Sequence, residues 1–316
     1  MKDVIATVQC KTWHARKMGF YSLFAFAHSL GAEMGVESVY AINNFGVNSD
    51  PDSFDLLKKT ADLLDIEPRE WWADEELEKA EIEAALQEMF ECMASIIENR
   101  EISRCICGNI EYLADAKLYG RKTLLDGGIS KCCNSVVGRK SEEVLVTAPL
   151  PKVETPKVYP VWAQKELSVK LENMRGKKLL ISRATERRFK IQVNDRLWNI
   201  DNDIMIWLYS KWLQKKGYNL KHLVVGVSTL HQAALITTVS NLLGIPPPEH
   251  IYCLPKVYFD PVHGVDTIEK AVYRFGKVRV VNALLRCASS RRKSITLSGS
   301  TFPSERDDKI NQIRLQ

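Results

Sequence analysis

The chain has 316 residues, 45% of them hydrophobic and 26% charged, with a formal net charge of +5 at neutral pH. Those proportions belong to a folded protein and exclude a disordered or fibrous chain. No run approaches the roughly 18 consecutive apolar residues of a membrane-spanning helix, so no membrane partner is expected.

The opening residues, Met1 to Val8, are too short and too charged for a signal peptide and read as a first strand, which implies a cytosolic address. A polar turn leads to an apolar helix expected from about Phe20 to Met34. The β-rich segment Val36 to Ile42 follows, with a turn at Asn43-Asn44-Phe45-Gly46. Strand, helix, strand is a βαβ unit, and a parallel sheet is its usual consequence. Asp50-Pro51-Asp52-Ser53 starts a second helix, with Phe54, Leu57 and Leu64 at helical spacing. From Asp74 to Asn99, the recurrence of Leu77, Ile82, Leu86, Met89, Met93 and Ile97 predicts a long amphipathic helix.

A cysteine-bearing segment comes next, then a connector punctuated by Pro149, Pro151, Pro156 and Pro160 that leaves little room for helix. Beyond it the α/β theme resumes. Strands are expected at Lys178 to Ser182, His222 to Gly226 and Ile251 to Leu254, and helices at Ile204 to Lys215 and Gln232 to Leu243. This divides the chain into a first α/β half at 1–101, an insertion at 102–146, a connector and second half at 147–302, and a polar tail at 303–316.

The eight cysteines do not make a secreted disulfide scaffold. Cys10, Cys92, Cys253 and Cys287 lie singly in apolar stretches, as small buried hydrophobes do. Cys105 and Cys107, with Cys132 and Cys133, form two close pairs. In a reducing compartment that grouping suits a structural zinc ion, which takes four thiolates from two tight turns. Gly108 and Asn134 tolerate the positive φ such turns use. Both pairs are shorter than the usual Cys-x-x-Cys, and four reduced thiols in a small hairpin is the competing reading.

Charge is unevenly spread. Asp74 to Glu91 is acidic, whereas Lys165 to Lys221 and Arg286 to Lys293 are strongly basic. Such asymmetry suits a polyanion such as RNA, and equally a solvated basic face.

Four segments together resemble the catalytic core of class I aminoacyl-tRNA synthetases, nearest the methionyl type. His14-Ala15-Arg16-Lys17 stands at the head of the first helix, where the family carries HIGH; His14 matches, Arg16 replaces the Gly and Lys17 the second His. Leu180-Ile181-Ser182-Arg183, followed by Leu197-Trp198-Asn199-Ile200-Asp201, is similar to the family's Ile-Ser-Arg segment and Trp/Phe-x-Asp strand. Leu223 to Leu235 resembles the strand-Gly-x-Asp-x-x-x-His segment that holds the adenylate ribose, with Gly226 and His231 kept and Ser228 in place of the Asp. Ile295 to Ser300, including Ser298, stands for KMSKS without its lysines.

The resemblance implies a Rossmann-like parallel sheet in two halves with a small zinc-knuckle insertion. It implies His14, Lys17 and Asp201 as catalytic residues, and Arg16, Gly226, Ser228, His231 and Ser298 around a nucleotide. Cys105, Cys107, Cys132 and Cys133 would be the metal ligands. An activated aminoacyl group, with ATP as substrate and tRNA and an amino acid as partners, follows from the family. Two variants stand open: adenylate formation and transfer, or removal of the aminoacyl group from charged tRNA, as cyclodipeptide synthases do. In the family, donors around the triphosphate stabilise charge as the carboxylate attacks the α-phosphate. Arg16 cannot copy the close approach of a Gly, although it and Lys17 still suit phosphates. A synthetase-derived protein that only binds tRNA or a partner is the alternative. No segment after Ser300 is long enough for an anticodon-binding domain, which argues against a complete housekeeping synthetase. Asp201 and Asp203 equally suit the start of the following helix. Trp198, Trp207 and Trp212 line either an apolar pocket or the core.

Overall fold

In the computed structural model the described residues are 1–7, 17–42, 51–73, 78–92, 96–104, 111–113, 118–119, 139–150, 152–180, 182–183, 190–193, 196–200, 205–242, 246–260 and 265–298. The core elements, in chain order, are β1 (Lys2–Thr7), α1 (Tyr21–Met34), β2 (Glu37–Ile42), α2 (Pro51–Leu63), β3 (Glu70–Ala73), α3 (Lys79–Cys92), β4 (Lys157–Tyr159) and α4 (Val161–Met174). They continue with α5 (Met205–Lys215), β5 (Tyr218–Gly226), α6 (Leu230–Leu242), β6 (His250–Leu254), β7 (Lys256–Phe259), α7 (Ile268–Phe275), α8 (Lys277–Ala288) and β8 (Ser294–Leu297).

Six of these strands form one sheet in the order β3-β2-β1-β5-β6-β4, with every neighbouring pair parallel. The strands are near-continuous apolar runs because the sheet is covered on both faces. Val4, Ala6, Leu223, Val225 and Ile251 point into one cluster with Ala163 and Leu167 of α4, Leu208 and Tyr209 of α5, and Ala233 of α6. Ile5, Tyr40, Ile42, Val224 and Leu254 point the other way, into a cluster with α1, α2, α7 and α8. Tyr40 is buried there with its hydroxyl within reach of two carbonyl acceptors, Phe24 (2.8 Å) and Ile66 (3.0 Å), and its ring stacks on Phe24 at 4.3 Å. The expected βαβ unit, the helix after Pro51 and the strands ending at Gly226 and Leu254 are all present. Phe54, Leu57 and Leu64 are buried as their spacing requires. Gly35, at φ 65°, closes α1 in the left-handed conformation.

A second, five-stranded sheet inserts between the halves. Its longest strands, Ile96–Arg104 and Arg139–Pro149, run antiparallel from Ile96 opposite Thr147 to Arg104 opposite Arg139. Here the structure corrects the long helix expected through Asn99. Helix α3 ends at Cys92 and Ile97 lies in a strand. Ile96 and Ile97 pair with Thr147 and Val146, all β-formers, and that pairing overrides the helical spacing. The four paired cysteines, Cys105, Cys107, Cys132 and Cys133, lie outside the described residues. Of the single cysteines, Cys253 and Cys287 are buried and free, and burial pushes their thiols up to about 12 and about 11. They are inert core groups, as expected. Cys10 and the side chain of Cys92 lie outside the described residues.

Candidate functional site

The sheet order places β1 and β5 side by side at its centre. From β1 the chain moves to β2 on one flank, and from β5 to β6 on the other. The connections after β1 and β5 therefore diverge at the carboxyl edge and leave a crevice, the position where open α/β sheets bind ligands.

Three turns wall that crevice. After the first strand, Lys17 leads into a short 3-10 turn, Met18–Phe20, that feeds α1. After β5, Gly226 leads into a second 3-10 turn, Val227–Thr229, that feeds α6. The Gly226 N–H donates to Thr229 Oγ1 at 3.0 Å, and that hydroxyl is 3.0 Å from the Gly226 carbonyl, to which it donates. This clamp fixes the turn. After β6, Leu254-Pro255-Lys256-Val257 forms the third wall. Both α1 and α6 direct amino-terminal ends at the crevice, where helix dipoles favour negative charge.

The described walls enclose about 150 Å³. That is less than the ~300–1,000 Å³ of a site burying a whole small molecule, so these walls seat part of a ligand. Two cations stand there. Lys17 is exposed at the rim, yet burial and the nearby Lys256 ammonium hold its pKa below the usual lysine value. Lys256 lies on the opposite wall with its ammonium 4.6 Å from the Tyr258 ring centre. Two like charges facing one cleft favour an anion between them.

The walls also meet at the backbone level. A Cβ added to Gly19 would fall 2.3 Å from the Val257 carbonyl oxygen and 2.7 Å from its Cβ. Only glycine allows the first turn to press against β7 so closely. Buried Ser22 reinforces the turn by donating to the Gly19 carbonyl at 2.7 Å. Gly226 differs: a Cβ there would meet Thr229 and Ser228 only at ordinary contact distances of 3.7 and 3.9 Å.

Of the residues singled out in the sequence, the crevice brings together Lys17, Gly226 and Ser228. His231 is half-buried in the first turn of α6, and Ser298 follows β8, which pairs with β7. Neither is among the residues lining the crevice. His14, Arg16 and Asp201 lie outside the described residues. Trp198 is buried in the core and Trp212 packs against it, whereas the side chain of Trp207 lies outside the described residues. Lys256, Gly19 and Thr229 were not singled out. The signal for Lys256 was its place directly after a buried strand and Pro255, at a carboxyl edge where ligands bind.

No known protein-family model matches the chain, and no curated protein matches it by sequence. Solved structures do. The chain is similar to Mycobacterium tuberculosis methionyl-tRNA synthetase bound to methionyl-adenylate, in one structure with a TM-score of 0.69 at 13% identity and in another with 0.65 at 13%. Each alignment covers 98% of this chain and 68% of that one. The apo form of the same enzyme matches with a TM-score of 0.62 at 14% identity, covering 96% of this chain and 65% of that one. This chain thus spans about two thirds of the length of those structures. The mixed α/β fold, with its six-stranded parallel sheet, is Rossmann-like and resembles the core of those synthetase structures.

Proposed function

We propose that this synthetase-like fold binds an adenosine phosphate in the crevice between β1 and β5 and handles an activated aminoacyl group there. The observation that carries the reading is the meeting of Lys17 and Lys256 across the crevice, beside the clamped Gly226–Thr229 turn. Two ammonium groups and two helix amino ends stabilise phosphate oxygens, and charge that develops on them, without moving during the reaction. Gly226 leaves the wall of the turn bare, so a ribose can lie against the backbone, with Ser228 as a neutral hydroxyl partner. His14 and Arg16, just before Lys17, would extend the cationic rim, and Asp201 would orient the α-amino group. The related solved structures hold a methionyl-adenylate, which supports an aminoacyl-adenylate as the ligand class.

The partners of this reading are an amino acid, ATP and tRNA. Cys105, Cys107, Cys132 and Cys133 would hold a structural zinc ion in a reducing, cytosolic setting, a reading supported by their residue type and pairing. Among the described residues no helix is long and apolar enough to cross a membrane.

Amino-acid-dependent ATP–pyrophosphate exchange, run across the common amino acids with tRNA present, tests the activity. Exchange with one amino acid would establish adenylate formation and name the substrate. If exchange is absent but the aminoacyl group is released from charged tRNA, the transferase variant is correct. Failure of both, in folded protein, would overturn the catalytic reading.

A further inference from the structure

A second cavity, of about 500 Å³, opens between α3 and α5 beside the edge strand β3. That volume lies within the ~300–1,000 Å³ of sites that take a whole small molecule. Among the described residues it shares none with the crevice. Its inner wall is apolar: Trp72 of β3, Ile82 of α3 and Leu208 of α5 are buried, and Ala85 and Trp212 pack against the same cluster. Ala84 and Ala85 leave the space open, because α3 presents methyl groups where larger side chains would fill it.

The rim is polar and carries both signs. Glu81 and Glu88 stand two turns apart on α3, and Lys211 and Lys215 one turn apart on α5, so each pair shares a helix face. Lys211 lies 2.5 Å from Glu88 and Lys215 lies 3.9 Å from Glu81, so the two helices run antiparallel. The second pair is at the limit of ion-pair distance and largely exposed, and such a pair contributes little to stability. An ammonium and a carboxylate on one small molecule can therefore replace it at little cost. Two carboxylates and two ammoniums leave the rim without net charge. It does not attract a polyanion, as the crevice does, and it complements a zwitterion.

The inner wall adds an independent sign of a ligand. Trp72 is 1% exposed, and its indole N–H has no hydrogen-bond acceptor among the described residues. A buried donor left unpaired is destabilising, and native proteins keep few of them.

We infer that this cavity binds a free aromatic amino acid with an acceptor at the far end of its ring, the chemistry of tyrosine. Its α-ammonium meets Glu81, its α-carboxylate meets Lys215, and its ring lies against Trp72 and Trp212. Its phenol oxygen accepts from the Trp72 indole N–H. The inference stands apart from the reading of the crevice, because the two sites have separate walls. A ligand held there bridges α3 and α5 and stabilises the fold in proportion to its concentration.

Calorimetric titration of L-tyrosine into the full chain, with and without a saturating aminoacyl-adenylate analogue, tests this. Saturable binding is expected in both cases. Tyramine, which lacks the carboxylate, and desaminotyrosine, which lacks the ammonium, are expected to bind about three- to fivefold more weakly, as one charged contact at an exposed rim allows. L-Phenylalanine is expected to bind about threefold more weakly for want of the hydrogen bond, and Trp72→Phe to erase the difference between the two amino acids. Ala84→Phe, which fills the cavity from an exposed position, is expected to abolish tyrosine binding while the unliganded protein melts as the wild type does. Equal tyrosine binding by Ala84→Phe and wild type, or no saturable binding by the wild type, would overturn the inference. Tyrosine displaced by the analogue would place the amino acid in the crevice, which also overturns it and leaves the crevice reading intact. Tyrosine binding that Ala84→Phe abolishes, in a protein that does not bind the analogue, would do the reverse.

Discussion

Gly19 and Gly226 stand on facing walls of the crevice, and each tolerates a methyl group differently. Gly19→Ala drives a Cβ into backbone at 2.3 Å, so the turn or β7 must shift. Overpacking of that kind costs ~1–3 kcal/mol, measurable as a lowered urea midpoint. Gly226→Ala meets nothing closer than 3.7 Å, at a φ of −84° that any residue adopts. It is expected to leave stability unchanged or slightly raised, and to weaken adenylate-analogue binding by placing a methyl group in the cleft. Loss of stability in that variant would contradict the geometry.

His222 carries the pH dependence at this scale. Burial, then His250 and Lys221, hold its imidazole below the usual histidine pKa, with Asp3 and Glu249 pulling weakly the other way. The unfolded chain therefore takes the proton first. Stability is complete above about pH 6.5 and falls as pH drops from there through the lower folded value. Asp3 is held down by hydrogen bonds from Asn219 and Lys221, so its own loss begins only below about pH 4. Thermal melts between about pH 7 and pH 5 should show a decline that His222→Gln flattens. An unchanged decline in that variant would place the titrating group elsewhere.

At the level of elements, the sequence was most informative where one pattern dominated. The buried strands of the central sheet showed as apolar runs, and Gly35, Pro51 and Gly226 marked their neighbours' ends. Ile96 and Ile97 misled because two isoleucines fit a helical stripe and a strand equally well. Only the facing Thr147 and Val146 decide between them, and that pairing is long-range. Helices α7 and α8 were not singled out, although Ile268, Ala271, Val280, Ala283, Leu284 and Cys287 recur at helical spacing across the Gly276 break. These helices cover one face of the sheet, so Leu284→Ala is expected to cost ~2–5 kcal/mol, as full burial implies, whereas exposed Val278→Ala should change little. Equal urea midpoints for the two variants would mean that α8 does not close this core.

Across the whole molecule, the fold was legible and the site only partly so. The order of strands and helices pointed to a parallel sheet in two halves, because βαβ connectivity leaves few alternatives. Motif positions then indicated Lys17, Gly226 and Ser228, which do line one crevice. Lys256 escaped because no motif contains it. It becomes part of the site only when β6 takes its place beside β5 and carries the next residues to the carboxyl edge. The row of stacked rings that ends at Tyr159 on the edge strand was equally invisible, since it joins residues 159, 222, 250 and 252 from three strands.

Lys17 and Lys256, on this proposal, make the crevice a phosphate site within a synthetase-like fold. Calorimetric titration of a non-hydrolysable aminoacyl-adenylate analogue into the wild type and into Lys17→Ala/Lys256→Ala addresses it directly. Saturable binding by the wild type and at least tenfold weaker binding by the double variant, about 1.4 kcal/mol, are expected, with thermal stability preserved. Equal affinity in both proteins, or no binding by the folded wild type, would contradict it.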